Sequence, residues 1–124
     1  MEDETHLYAY GNAIEVLEKA ADYPNVSNFV FKHLRFDFLS RNAWLINLKN
    51  FKLLTSLSLD SNNLSSFIQL SKLESLNKLK AINISNNDIS ETVLLRPYIV
   101  YRFPHITTIN ETEISDTDKS NARL

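Results

Sequence analysis

Few residues of this sequence are of a type and spacing that could carry out catalysis or bind a metal ion. The three histidines, His6, His33 and His105, are far apart and lack the His-x-x-x-His or carboxylate spacing that assembles metal ligands. The chain has no cysteine, and its single glycine is too few for a glycine-rich phosphate loop. No nucleophile elbow supports a Ser-His-Asp set. We therefore expect no enzymatic activity, no cofactor and no metal site.

Composition and charge narrow the function classes further. Thirteen Lys and Arg against fifteen Asp and Glu give a formal net charge of -2, and the basic residues are scattered. A nucleic-acid surface usually needs a basic excess or a basic stripe, so we expect no direct nucleic-acid binding. No window reaches the roughly 18 apolar residues of a membrane span, and the N-terminus is acidic where a secretory signal would be basic. We expect a soluble intracellular protein with no membrane contact.

One sequence pattern occurs twice in full near the middle of the chain. Residues 54–64 (LTSLSLDSNNL) and 79–89 (LKAINISNNDI) both read L-x-x-L-x-L-x-x-N-x-L, with Ile accepted for Leu. Partial copies stand at 26–36 (VSNFVFKHLRF), with Leu34 at the Asn position, and at 106–114 (ITTINETEI). The four copies start 28, 25 and 27 residues apart. This regular period predicts a repeat architecture in which each copy forms one structural unit.

Each copy predicts a short strand followed by a turn. Alternate residues, such as Leu57 and Leu59, point to one side of the strand, and a lone strand cannot bury that side. Parallel stacking of the copies would bury it in a shared column. Asn62 and Asn87 would satisfy backbone amides and carbonyls at the buried turns, so we interpret them as structural residues.

The segments between the strands favour helical returns, and a helix is expected at the N-terminus. Residues 65–78 space apolar side chains at three-residue steps, and residues 40–51 behave similarly, which predicts helical or 3₁₀ turns. The segment 5–23 predicts an N-terminal capping helix; a helix that reaches out to a partner is the alternative. Its proposed apolar face consists of Leu7, Tyr10, Ile14, Leu17 and Ala21.

The pattern resembles that of short intracellular leucine-rich-repeat proteins with a C-terminal cap, of the phosphatase-regulator, dynein-light-chain and spliceosomal A-prime types. The most specific likeness is to the cap motif Y-R-x-x-V-I-x-x-L-P-x-L-x-x-L-D, which residues 95–110 (LRPYIVYRFPHITTIN) follow closely. The chain departs from the motif at Leu95, where the family has Tyr, and at Asn110, where it has Asp. Residues 116–122 supply the following tail.

The resemblance implies a fold and a class of function. The fold class is an α/β leucine-rich-repeat solenoid, with parallel strands on the concave face, helical or 3₁₀ returns on the convex face, a helical N-cap and a C-cap. We expect one domain over 1–124, with repeats over 26–94 and the cap over 95–124. The implied function is a protein-binding scaffold or adaptor, monomeric within a hetero-complex that is cytoskeletal, ciliary or regulatory, located in the cytoplasm, with the nucleus as a second compartment. The alternative is a ribonucleoprotein subunit that holds an RNA-binding protein.

The outward-facing strand positions are the predicted binding surface, because concave faces of solenoids commonly bind partners. These positions are small and polar almost throughout, so a shallow tray for a partner and a merely solvated sheet face stay equal alternatives. The first row comprises Asn28, Ser56, Ala81 and Thr108; the second comprises Val30, Ser58, Asn83 and Asn110; the third comprises Lys32, Asp60, Ser85 and Thr112.

Aromatic residues outside the repeat pattern compete with the concave face as binding anchors. Trp44 lies on the first return segment, and Tyr98 and Tyr101 flank Ile99 and Val100 within the cap motif. An exposed cluster of these residues would be an interface candidate. The alternative is that they lie at the edge of the core, as aromatic residues in small domains often do.

Overall fold

Six strands form one sheet in chain order in this computed structural model, which describes residues 5–10, 15–33, 48–62 and 64–122. The strands are β1 (His6–Tyr10), β2 (Asn28–Lys32), β3 (Ser56–Ser58), β4 (Ala81–Asn83), β5 (Thr108–Ile109) and β6 (Thr112–Glu113). The first five pair in parallel, and β6 returns antiparallel to β5. Stacked parallel strands, one from each repeat, confirm the predicted solenoid.

The core is a column of apolar side chains on one face of this sheet. The strand register aligns one buried residue from each parallel strand, each at most 2% exposed: Leu7, Phe29, Leu57, Ile82 and Ile109. The rings of Phe29 and Phe31 stack with centroids 4.3 Å apart. Because neighbouring repeats supply both sides of each contact, no single repeat can bury its apolar face alone.

Two buried asparagines join the turns that follow the strands. The side-chain amide of Asn87 donates to the carbonyls of Leu59, Ile84 and Ser85 at 2.9, 2.9 and 3.0 Å. Its Oδ1 accepts the backbone N–H groups of Asn62 and Leu64, each at 2.9 Å. Asn62 in turn donates to the carbonyl of Phe31, one repeat earlier, at 2.8 Å. The predicted structural role of these two residues is confirmed.

The predicted N-terminal capping helix over 5–23 is wrong in its first part. Residues His6–Tyr10 form β1, paired with β2 in register, and a 3₁₀ helix over Glu15–Asp22 follows, with non-helical φ and ψ at Lys19. The strand alternates inward Leu7 and Ala9 with outward Tyr8, so the two apolar side chains join the core column. The N-terminal end of the described sheet is therefore a fifth parallel strand rather than a helix.

The return after β3 is helical, as predicted for residues 65–78. It consists of α1 (Phe67–Ser71) and a 3₁₀ helix over Lys72–Ser75, and Leu70, Leu73 and Leu76 are buried. The return after β4 contains a 3₁₀ helix over Asp88–Glu91. Most of the predicted return over 40–51 lies outside the described residues.

The region predicted to be the C-terminal cap contains α2 (Leu95–Arg102), the β5–β6 hairpin and α3 (Asp116–Ala122). Leu95 and Ile99 bury one side of α2 against the last repeat. The hairpin turn has two residues, Asn110 and Glu111, with φ of 50° and 66°. A two-residue turn with both φ values positive matches the twist of paired strands. The division of the chain into repeats over 26–94 and a cap over 95–124 stays a prediction.

Arg96 ties the hairpin to α3. Its guanidinium donates to the carbonyl of Glu113 at 2.8 Å and to a carboxylate oxygen of Asp118 at 2.9 Å. Ser115 and Asp118 form a reciprocal capping box, because each side chain accepts the other residue's backbone N–H, at 3.1 and 2.9 Å. The hydrogen bond from Arg96, followed by that from the N–H of Ser115, holds the pKa of Asp118 well below its usual range.

Candidate protein-binding surface

A hollow of about 330 Å³ lies on the face of the sheet opposite the core. All five parallel strands contribute to it, and the turn after β5 closes one end. We call its outward-facing residues the inner tray: His6, Tyr8, Asn28, Val30, Ser56, Ser58, Ala81, Asn83, Thr108 and Glu111. Because most of these side chains are short, the backbone of the strands lies close to the surface.

The strand register confirms the geometry of the first two predicted rows over most of their length. Asn28, Ser56, Ala81 and Thr108 align in the first row, and Val30, Ser58 and Asn83 align in the second. All seven residues line the hollow. Their role in binding stays a prediction.

Asn110 does not continue the second row. β5 ends at Ile109, and Asn110 adopts a positive φ in the hairpin turn. Its Oδ1 accepts the backbone N–H of Ile84 at 2.8 Å, one repeat away, so the side chain serves the turn instead of the tray. Thr112 likewise leaves the third row, because it lies on β6.

The third row forms a charged network beyond the tray. The ammonium of Lys32 lies 3.5 Å from a carboxylate oxygen of Asp60. Asn86 and Ser61 donate to the other carboxylate oxygen at 2.8 and 3.1 Å. Burial raises the pKa of Asp60, but these two hydrogen bonds and the charge of Lys32 outweigh burial and lower the pKa overall. Ser85 joins through its carbonyl, which accepts the N–H of Ser61 at 3.2 Å. None of the predicted residues of this row lines the hollow.

Sequence reasoning missed three residues of the inner tray. His6 and Tyr8 lie on β1, and their rings are 6.4 Å apart and nearly parallel. Tyr8 is 41% exposed, which leaves a large aromatic surface at one end of the tray. Glu111 lines the opposite end. The alternation of apolar and polar side chains over residues 6–10 could have indicated His6 and Tyr8. No comparable sequence pattern indicates the hairpin turn that contains Glu111.

One polar atom of the tray has no hydrogen-bond partner in the part of the chain that the structure describes. The side-chain oxygen of Asn28 is buried and accepts no hydrogen bond among the described residues. Buried polar atoms are rarely left without a partner in folded proteins. Because the atom is buried beneath the surface of the tray, a partner bound in the tray does not reach it in this conformation.

The predicted aromatic edge residues have different surroundings. The ring of Tyr98 stacks on Phe67 with centroids 4.5 Å apart, and its hydroxyl donates to the carbonyl of Phe67 at 3.1 Å. Burial raises the pKa of this hydroxyl. Tyr98 therefore packs α2 against α1, whereas Tyr101 is 67% exposed. Trp44 lies outside the described residues.

The three histidines lie on separate parts of the described chain. His6 lies on β1, while His33 and His105 are exposed residues outside the strands. No three His, Cys, Asp or Glu side chains within the described ranges are grouped so that they could hold a metal ion. No helix in the same ranges has the length and apolar character needed to cross a membrane.

Comparison with solved structures decides the fold. A chain in the crystal structure of the Drosophila melanogaster SNF/U2A′ complex matches 82% of this chain and 56% of its own length, with a TM-score of 0.63 and 21% identity. The leucine-rich-repeat domain of Mex67 from Chaetomium thermophilum matches 88% of this chain and 76% of its own length, with a TM-score of 0.64 and 13% identity. This chain has a leucine-rich-repeat fold. The predicted resemblance and fold class are thereby confirmed.

A curated protein gives the same result at the level of sequence. This leucine-rich-repeat chain is 29% identical over 71 residues to leucine-rich repeat-containing protein 51 of Bos taurus. The match covers 57% of this chain and 37% of the relative, so the chain matches little more than a third of that protein's length. No protein-family model matches the chain.

Proposed function

We propose that this chain is a protein-interaction scaffold whose partner binds in the inner tray. The observation that carries the proposal is the hollow of about 330 Å³ to which all five parallel strands contribute. Short side chains such as Ser56, Ser58 and Ala81 let a helix or loop of a partner approach the strands closely. Leucine-rich-repeat solenoids use such extended surfaces for binding, and they act in general as interaction modules.

The two ends of the inner tray carry larger side chains than its centre. The centre has no large side chain, so its contacts provide shape complementarity more than binding energy. Tyr8 offers an aromatic surface at one end, and Glu111 offers a carboxylate at the other. These two groups and the polar centre favour a partner segment that is polar along its middle and apolar at the end beside β1.

The inner tray can be tested with a variant that fills it and a control that does not. The variant Ser58→Arg with Ala81→Arg places two bulky cations in the tray. The two substitutions remove no side-chain hydrogen bond that is present in the described part of the chain. The control, Ile68→Arg with Val93→Arg, adds the same charge at exposed positions in the return segments. Affinity capture should recover a partner with the wild type and the control and lose it with the tray variant. Equal recovery by all three proteins would contradict the proposal.

The finer assignment is an adaptor subunit, monomeric within a hetero-complex of cytoskeletal, ciliary or regulatory type, located in the cytoplasm and without catalytic activity. It rests on the resemblance of residues 95–110 to the cap of short intracellular leucine-rich-repeat proteins, and on the lack of cysteine and of catalytic motifs in the sequence. Imaging of the tagged chain in cells tests this assignment. Accumulation along cilia or cytoskeletal filaments is expected, and a secreted product would contradict it.

A second candidate function is a ribonucleoprotein subunit that holds an RNA-binding protein. It is favoured by the structural likeness to a chain of the SNF/U2A′ complex. With a net charge of -2 and scattered basic residues, the chain would reach RNA only through that protein. Under this candidate, capture should recover an RNA-binding protein even after ribonuclease treatment, and the tray variant should lose it. Recovery that ribonuclease abolishes would argue against it.

A further inference from the structure

A second hollow lies where the chain leads into β3 and β4, and it shares no lining residue with the inner tray. Its volume is about 280 Å³. The walls come from residues 48–54 and 75–79, which precede the two strands. We call it the edge hollow. It therefore belongs to the ends of two neighbouring return segments rather than to the sheet face.

Two kinds of side chain line the edge hollow. Its apolar walls are Leu48, Phe51, Leu54, Leu76 and Leu79, all at most 8% exposed. Its cations are Lys49, Lys52 and Lys78, all exposed, and no acidic residue among the described ones lines it. The hollow thus combines an apolar interior with a positive edge.

The three lysines lack a counter-charge within the described part of the chain. The ion pairs there involve Lys32, Arg96 and Arg102, not the lysines of the edge hollow. Glu74 directly precedes the second wall segment, but Arg102 already holds its carboxylate at 2.8 Å. Clustered like charges repel each other, so carboxylates brought by a partner would relieve that repulsion.

We propose that the edge hollow binds an acidic, amphipathic segment of a partner protein. One or two apolar side chains of that segment enter the hollow, and its carboxylates contact Lys49, Lys52 and Lys78. The volume of about 280 Å³ lies just below the range typical for drug-sized ligands, which suits side chains better than a whole small molecule. This site is independent of the inner tray, so one chain can hold two partners or two segments of one partner.

A peptide fits these observations better than a nucleic acid or a lipid surface. Binding of single-stranded nucleic acid relies on exposed aromatic rings that stack on bases, whereas the aromatic residue here, Phe51, is 4% exposed. Recognition of anionic lipid usually requires about four to eight clustered basic residues, more than line this hollow. A concave apolar interior also receives a protruding side chain more readily than it inserts into a bilayer.

The test is a selection from a phage-displayed library of random 16-residue peptides. The wild-type chain is the target, and peptides that bind the support without the chain are removed. The recovered peptides should combine Asp or Glu with Leu, Phe or Trp. In fluorescence anisotropy, the triple variant should weaken their binding at least about tenfold, because three exposed attractions become repulsions. The matched control Lys119→Glu, at an exposed lysine of α3, should stay within about twofold of the wild type because it lies outside the edge hollow.

Other outcomes separate this site from the inner tray. The variant Ser58→Arg with Ala81→Arg should leave affinity for the selected peptides unchanged. A loss of affinity in this variant would show that the peptides bind in the inner tray, which would overturn the proposal. Recovery of peptides without an excess of acidic residues, or tighter binding of a 20-nucleotide poly(U) probe, would also overturn it. If charge reversal perturbs the circular dichroism spectrum, the neutral variant Lys49→Gln, Lys52→Gln, Lys78→Gln replaces it, with intermediate weakening expected.

Discussion

Replacing Asn87 by Ala should remove a large part of the stability of this chain. The Asn87 side chain is 5% exposed and makes five hydrogen bonds to backbone groups in the turns that follow β3 and β4. An unsatisfied buried polar group costs about 1–3 kcal/mol, although water and local relaxation recover part of that cost. We expect Asn87→Ala to lower the free energy of unfolding by about 3–5 kcal/mol. Small domains have about 5–15 kcal/mol in total.

Urea denaturation followed by far-ultraviolet circular dichroism measures this loss. With a slope of about 2 kcal/mol per molar urea, a loss of about 4 kcal/mol lowers the midpoint by about 2 M. Asn77→Ala is the matched control, because Asn77 is exposed and its side chain makes no hydrogen bond in the described part of the chain. The control should change stability by no more than about 0.5 kcal/mol.

The variant Asn87→Leu distinguishes the effect of lost hydrogen bonds from the effect of lost side-chain volume. The leucine side chain is similar in size but forms no hydrogen bond, so it should be as destabilising as alanine. If both Asn87 variants stayed within about 1 kcal/mol of the wild type, the reasoning that buried asparagines hold the repeats together would be refuted.

Three further predictions concern the cap and the first strand. Asp118→Asn should cost about 1 kcal/mol at pH 7, because its pair with Arg96 is partly exposed. Since the folded-state pKa of Asp118 is lowered, this contribution is fully present above about pH 4 and diminishes as the pH falls below that value towards the lowered pKa. Urea titrations should therefore show a smaller gap between variant and wild type at pH 3 than at pH 7. Glu111→Gly should raise stability by about 0.5–1 kcal/mol, because glycine accepts the positive φ of the hairpin turn, and an unchanged melting temperature would contradict this. Leu7→Ala should lower the free energy of unfolding by about 2–5 kcal/mol and Tyr8→Ala by less than about 1 kcal/mol, because the Leu7 side chain is buried and the Tyr8 side chain faces outward. Equal losses would exclude the strand over 6–10.

The central repeats were predictable from sequence because two signals agree there. Leu57 and Leu59 alternate in a strand pattern, and Asn62 follows at a fixed distance, as Asn87 does one repeat later. The helical return after β3 was likewise visible in the three-residue spacing of its leucines. Each of these features is local, so the sequence of one repeat contains the information that determines it.

The N-terminal strand was not predictable in the same way. Residues 6–10 alternate, but Leu7, Tyr10 and Ile14 also satisfy a helical spacing, and a five-residue segment cannot separate the two periods. The pairing with β2, which is a non-local interaction, favours the strand. His6 and Tyr8 were missed as tray residues for this reason. Asn110 was assigned to the tray because an alignment of repeats does not reveal that the hairpin turn redirects its side chain to Ile84.

Site-specific photocrosslinking in cells tests the central claim, that a protein partner occupies the inner tray. A photoreactive phenylalanine analogue replaces Tyr8, the exposed aromatic residue at one end of the tray, in one protein and Val93, 88% exposed in a return segment, in another. Because Tyr8 is already aromatic, the probe does not fill the tray. Position 8 should yield a discrete adduct with a protein, and that adduct should be missing from position 93. The same adduct from position 93, with none from position 8, would contradict binding in the tray.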